Sequence, residues 1–85
     1  MTIVWSMRFK REFAALLQPI KERAKKQLAL FSQNPRHPSL QTKKMEGWGN
    51  IREGRVTHDY RFTFFQEGDT YTLRRIGPHD ILRNP

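Results

Sequence analysis

The stretch Ile51-Arg52-Glu53-Gly54-Arg55-Val56, Thr57-His58-Asp59, Tyr60-Arg61-Phe62-Thr63-Phe64-Phe65 constrains this chain more than any other. Its second half is aromatic and β-branched, with apolar side chains recurring at the two-residue period of a half-buried strand. The residues just before it are polar and turn-forming, so the stretch predicts an antiparallel hairpin with its loop at 57–59. A loop of that length sets Val56 opposite Tyr60 and Arg55 opposite Arg61. Side chains alternate across a strand, so Val56, Tyr60, Phe62 and Phe64 share a face suited to packing beneath helices, and Glu53, Arg55, Arg61 and Thr63 share the other. Two arginines directly opposite each other repel. The pair needs Glu53 beside it as counter-ion, or an anion such as phosphate.

Downstream, Gln66 to Asp69 forms a turn around Gly68, and Tyr71 to Ile76 reads as a last strand, which completes a three-stranded antiparallel meander. Strict alternation puts one of Arg74 and Arg75 on each face, and Arg75 is assigned to the Arg55/Arg61 side. Immediately after the Gly77-Pro78 turn, His79 can reach over the edge of that same face with an imidazole, the side chain best suited to exchanging protons near neutrality.

The first half of the chain supplies the helices. Thr2-Ile3-Val4-Trp5 is short, β-branched and aromatic and predicts a strand, after which Ser6 can cap a helix from Met7. Phe9, Phe13, Leu16 and Leu17 recur at the spacing of one helical face. Pro19 opens a second helix, with Ile20, Ala24, Leu28 and Phe31 as its apolar stripe and Arg23, Lys25 and Lys26 as a solvated face. Two prolines, Pro35 and Pro38, end it in a loop, and Met45 to Asn50 is a turn-rich approach to the hairpin. The fold class expected is α+β: an N-terminal strand and a helical hairpin packed on an antiparallel sheet.

With 85 residues the chain has room for one domain, residues 1–85, and one site. Sixteen Lys and Arg against eight Asp and Glu leave a formal charge of +8, which attracts polyanions and makes nucleic acid the first partner to consider, with an acidic protein as the alternative. Without cysteine there is neither a disulfide framework nor a thiolate metal site. The three histidines lack ligand spacing, and no Gly-rich phosphate loop or serine-nucleophile signature occurs, so no metal and no cofactor is expected. No apolar run approaches the ~20 residues of a membrane span and the N-terminus lacks a signal peptide's apolar stretch, so the expected location is the cytoplasm.

The segments NPRHPSLQTKKMEGWGNI, REGRVTHDYRFTF and GDTYTLRRIGPHDILRNP, in the order strand, helical hairpin and three antiparallel strands, resemble the RelE/ParE superfamily of toxins from type II toxin–antitoxin systems. Arg-Val followed across a short loop by Tyr-Arg-Phe is the most specific part of the likeness. The resemblance implies a microbial-RNase-like fold and a ribosome-dependent messenger-RNA endonuclease that works without metal, by attack of the RNA 2′-hydroxyl on the adjacent phosphate. It further implies that Arg55 and Arg61 hold the phosphate, that His79 is the general acid, and that Glu53 is the base or an orienting group. Arg52, Arg75, Lys43, Lys44, Lys25 and Lys26 become the RNA contacts. The partners implied are a cognate antitoxin, in a hetero-oligomer, together with the ribosome and messenger RNA; no membrane is involved. The chain departs from the family in having Asp80 after His79 and no tyrosine beyond Tyr71. That departure leaves two further readings open: a ParE-like inhibitor of DNA gyrase without catalysis, and a non-toxic relative that only binds its antitoxin.

Overall fold

The computed structural model covers residues 1–85. Strand β1 (Thr2–Trp5) leads into helix α1 (Met7–Ala14) and helix α2 (Gln18–Gln33), followed by a 3-10 turn at Pro38–Leu40 and strands β2 (Lys43–Lys44), β3 (Arg52–Arg55), β4 (Tyr60–Glu67) and β5 (Thr70–Pro78). A second 3-10 turn, His79–Arg83, follows β5 directly. The five strands form one mixed sheet in the order β1-β5-β4-β3-β2.

The expected meander is present as β3, β4 and β5, and the sheet extends it on both sides. β1 pairs in parallel with β5, so the first and last strands are neighbours. At the other edge, Lys43 and Lys44 pair with Glu53 and Arg52. A two-residue strand of lysines carries no alternation to read; main-chain pairing with β3 alone makes it a strand.

The local signals before the sheet explain the helices. Ser6 Oγ accepts a hydrogen bond from the Phe9 amide at 3.1 Å and donates one to the Arg74 carbonyl at 3.1 Å, so a single hydroxyl caps α1 and ties it to β5. Pro19 lies in the first turn of α2, where its missing N–H costs nothing. Leu17 departs from expectation. It stands outside α1, as the residue that precedes α2, and is 69% exposed, because the first helix ends at Ala14 and its apolar face stops short of that position.

The buried core joins Phe9, Ala24, Phe31, Leu40, Val56, Phe62, Phe64, Leu73 and Ile76. Phe31 of α2 meets Phe62, Phe64 and Tyr71 edge-on, with ring centroids 5.4, 4.8 and 5.6 Å apart. Trp5 does the same with Phe9 and Phe13. Each such pair contributes about 0.5–1.5 kcal/mol beyond its buried area.

Strict alternation fails once, in β5. Phe64 pairs with Leu73, Thr63 with Arg75 and Phe62 with Ile76, so two residues, Arg74 and Arg75, stand against Thr63 in a β-bulge. Leu73 and Ile76 are both in the core. Arg74 and Arg75 therefore both belong to the outer face, opposite the core, whereas alternation predicts one on each side. The extra residue cannot be seen in the sequence, because a bulge keeps both flanking apolar positions inward.

Past the bulge, the chain end folds back on that outer face. Ile81 is buried over Gly77, where an added Cβ would lie 2.9 Å from its methyl group. The Pro85 carbonyl accepts from Thr63 Oγ1 and from Arg74 Nε, both at 3.2 Å. The face expected to be wet is therefore partly closed: Thr63, Glu53 and Arg61 are 0%, 7% and 8% exposed.

Gly54 shows how tightly the inner face is filled. It pairs with Phe62, and an added Cβ would fall about 2.4 Å from the Phe62 ring, which is fully buried. Gly54→Ala should destabilise the fold by about 1–3 kcal/mol through overpacking. Thermal unfolding should register this as a fall of at least roughly 5 °C in Tm; an unchanged Tm would show that the ring has room to move.

Candidate active site

Two lateral rows of side chains cross the outer face. Lys43, Glu53, Thr63 and Arg75 align across β2, β3, β4 and β5, and Arg55, Arg61 and Gly77 form the next row. Between them lies a small cavity of about 90 Å³ lined by Gln41, Lys43, Glu53, Arg55 and Arg61. Three cations and one anion give its wall a net charge of +2. Like charges face each other there, as the hairpin register predicts.

Arg61 is the best-held cation. Its Nη1 donates to the carbonyls of Thr57, His58 and Tyr60 at 2.7, 2.6 and 3.1 Å, and its Nε stands 3.5 Å from Glu53 Oε1. Nη2 has no protein acceptor, yet no buried side-chain polar atom lacks a partner, so Nη2 reaches solvent. The guanidinium is thus clamped on one side and free on the other. Glu53 supplies the counter-charge that neighbouring arginines require, and a buried pair of this kind loses about 3–5 kcal/mol when either partner is removed.

Lys43 and Arg55 make no side-chain hydrogen bond or ion pair; their charges are unspent. The backbone beneath Arg55 is nonetheless fixed. Gln27 of α2 is buried and donates through Nε2 to the Arg55 carbonyl at 2.9 Å and to the Ser39 carbonyl at 3.2 Å, joining helix, 3-10 turn and strand end. Gln41, at the end of that turn, has φ of +46°, an uncommon conformation for a residue with a side chain.

His79 lies at the end of β5, exposed, with no hydrogen bond to its ring. Its amide donates to the Asp59 carbonyl at 2.7 Å. The 57–59 loop therefore binds the Arg61 guanidinium through its first two carbonyls and the His79 backbone through its third. The other two histidines have different places: His37 Nδ1 accepts from the Ser39 amide in the 3-10 turn, and His58 is exposed in the hairpin loop.

The remaining predicted contacts are dispersed. Arg75 is on the outer face but is held by Glu12 of α1, 2.7 Å from Nη2, while the same carboxylate accepts from the Ile76 amide. Arg52 and Lys44 fall in the row of Phe64 and Leu73, on the helix side of the sheet. Lys25 and Lys26 are exposed on α2, in the other layer, and Lys25 pairs with Glu22 at 3.2 Å.

Glu12, Gln27 and Gln41 were not singled out by sequence. A glutamine between Ala24 and Leu28 on the apolar stripe of α2 was the readable signal, since a polar group buried there must find partners. Glu12 offered none, because its partner lies 63 residues away.

No protein-family model and no curated protein matches this sequence. Solved structures do match. YafQ from E. coli strain BL21(DE3) superposes with a TM-score of 0.77 at 18% identity, over 94% of each chain. RelE in the RelB–RelE antitoxin–toxin complex from Methanococcus jannaschii gives 0.77 at 19% identity, over 95% of each chain. The chain has the RelE-like fold of these structures. A YoeB/ParE toxin from Agrobacterium tumefaciens shares this RelE-like architecture too, with a TM-score of 0.75 at 14% identity, over 93% of this chain and 99% of that one.

Within this RelE-like fold, Gln27 is the one buried side chain that holds the strand end carrying Arg55. Gln27→Leu removes the donor from both carbonyls and should lower stability by about 1–3 kcal/mol. Urea denaturation should show the loss as a lower midpoint with an unchanged slope; equal midpoints would mean that other donors replace it.

Proposed function

We propose that this chain, acting as one domain, is the toxin of a type II toxin–antitoxin pair and a ribosome-dependent endonuclease of messenger RNA. The observation that carries the reading is the cavity that Lys43, Arg55 and Arg61 line together beside Glu53. Cleavage by the 2′-hydroxyl forms an O2′–P bond and breaks the P–O5′ bond. Negative charge accumulates on the non-bridging oxygens between those events, where cations held in advance stabilise it most. Arg61 is held in advance by three carbonyls, and Arg55 stands directly across from it. Glu53 lines the same cavity and is the group to take the 2′-hydroxyl proton. His79, tied to the same loop as Arg61, gives a proton to the departing O5′. The products are a 2′,3′-cyclic phosphate and a 5′-hydroxyl, and the reaction uses no cofactor.

The ribosome's part is to present the RNA, since a 90 Å³ cavity is too small to orient a strand by itself. That sets the place of action in the cytoplasm. An antitoxin with an acidic segment is the expected partner, because a charge of +8 favours fast, complementary association. The neighbouring RelE structure is itself one of an antitoxin–toxin complex.

A second reading has one observation in its favour. The three carbonyls and Glu53 around Arg61 would serve equally to brace a protein-binding surface, as a non-catalytic inhibitor of DNA gyrase requires.

Purified protein incubated with messenger RNA, with and without ribosomes, separates these readings. Cleavage should require ribosomes. Arg55→Ala should reduce it by about 10²–10³-fold, the size of effect expected when one donor to the transition-state charge is lost. His79→Ala should reduce it by about 10²–10⁴-fold. Both variants should keep the wild-type Tm. Absence of cleavage with ribosomes, accompanied by inhibition of gyrase supercoiling, would favour the second reading.

A further inference from the structure

The helix side of the sheet carries a second set of cations that the cavity on the outer face does not use. Arg52 and Lys44 lie there, and two adjoining hollows share Arg52 and Gln66 as a common wall. One, of about 290 Å³, is bounded by Lys44, Gly49, Asn50 and those two. The other, of about 320 Å³, adds Arg36 and Tyr71. No acidic side chain lines either hollow. On the outer face, Arg61 and Arg75 each have a carboxylate; here, the side chains of Arg36, Lys44 and Arg52 make no ion pair and no hydrogen bond, and Arg36 is tied only through its amide, which donates to Asn34 Oδ1 at 3.0 Å.

An exposed indole belongs to the loop that joins two of these charges: Trp48 lies between Lys44 and Arg52, which pair across β2 and β3, and its neighbours Gly49 and Asn50 line the first hollow. Trp48 is 41% exposed, and its ring stacks on no other aromatic and beneath no cation. Its loop is not loose. Met45 donates to the Ile51 carbonyl at 2.8 Å, Trp48 to Met45 and Ile51 to Trp48, both at 3.2 Å. Gly47 and Gly49 flank it with φ of +83° and +63°, which ordinary side chains rarely adopt. A closed loop built on two such glycines holds the backbone of Trp48 at the surface and leaves part of a large apolar ring in water, which opposes it. The partner such a ring favours is a flat, apolar face that arrives with negative charge beside it.

We propose that Trp48, with Arg36, Lys44 and Arg52, forms a second RNA-binding trough that takes one unpaired nucleotide of a single strand by stacking its base on the indole and pairing the neighbouring phosphates with the three cations. The inference rests on the proposed function only for the class of ligand, RNA; it concerns binding, through cations of which Lys44 and Arg52 lie on the face opposite the cavity that cuts. Stacking on an aromatic ring accepts any base and demands that the base be unpaired, so the trough distinguishes single strands from duplex rather than one sequence from another.

A short single-stranded oligoribonucleotide carrying 2′-O-methyl groups tests this, because it lacks the hydroxyl needed for cleavage. Titration should quench the indole fluorescence, and the quench should vanish in Trp48→Ala, in which Trp5 remains. Anisotropy of the labelled oligonucleotide should show weaker binding by Trp48→Ala, by about 5–150-fold for the loss of one stacked base, with Trp48→Phe close to wild type. Arg36→Ala, Lys44→Ala and Arg52→Ala should each reduce the slope of log K against log salt by about 0.7. Equal affinity of wild type and Trp48→Ala, or equal quenching by a duplex of the same length, would overturn the proposal. So would quenching by an acidic peptide without quenching by RNA, which assigns the surface to a protein. Binding of the methylated strand with no cleavage in the ribosome assay would defeat the nuclease reading and leave the trough standing; cleavage without this binding would do the reverse.

Discussion

The seating of Phe31 among Phe62, Phe64 and Tyr71 determines what the other face of the sheet can present. A strand cannot shift by one residue without turning every side chain over. Once Phe62 and Phe64 are inward, Arg61 and Thr63 are outward, and the antiparallel pairing brings Arg55 and Glu53 beside them. The packing of one aromatic ring from α2 thereby sets the register on which the charged cavity depends. Gly54 enters the same account: its missing side chain is the space that the Phe62 ring occupies.

The bulge in β5 gives the outer face its second feature. By placing both Arg74 and Arg75 outward, it adds a cation where alternation would have put one inward. Those cations are then bound: Arg75 by Glu12 and the Asn84 carbonyl, Arg74 by the Pro85 carbonyl and against the Phe65 ring. They fasten α1 and the chain end to the sheet. The cations that keep their charge available, Lys43 and Arg55, lie towards the other edge, where neither α1 nor the chain end supplies a carboxylate.

The hairpin was legible because its information is local. Alternation from Tyr60 to Phe64 and a short polar loop contain both the register and the facing arginines. Helix starts at Ser6 and Pro19 were legible for the same reason. What escaped was set at long range. The parallel pairing of β1 with β5, the ion pair of Glu12 with Arg75 and the return of Ile81 over Gly77 each depend on where another part of the chain arrives. For the candidate site, the sequence placed Arg55, Arg61 and Glu53 on one face but took that face to be open. Part of its closure comes from the residues after Pro78, which reach Thr63 and Arg74 and whose short 3-10 turn has no periodic signature, and part from the carbonyls of the 57–59 loop around Arg61.

Arg61 and Arg52 show why position on the sheet, more than residue type, divides the basic side chains into roles. Both are arginines of the central hairpin, and both lie near core phenylalanines. Arg61 is enclosed, so its charge must be met inside the protein by Glu53 and by carbonyls, leaving one amino group to face outward in a fixed direction. Arg52 is exposed and has no carboxylate, so its charge stays hydrated and free to move towards an anion. A fixed donor is suited to the brief charge of a transition state, since nothing has to reorganise when that charge appears. A mobile, hydrated one is suited to holding a polyanion in many registers, because its binding releases counterions and asks for no particular geometry. One sheet presents the two kinds on opposite sides, and chemistry is to be sought on the side where the arginine is held.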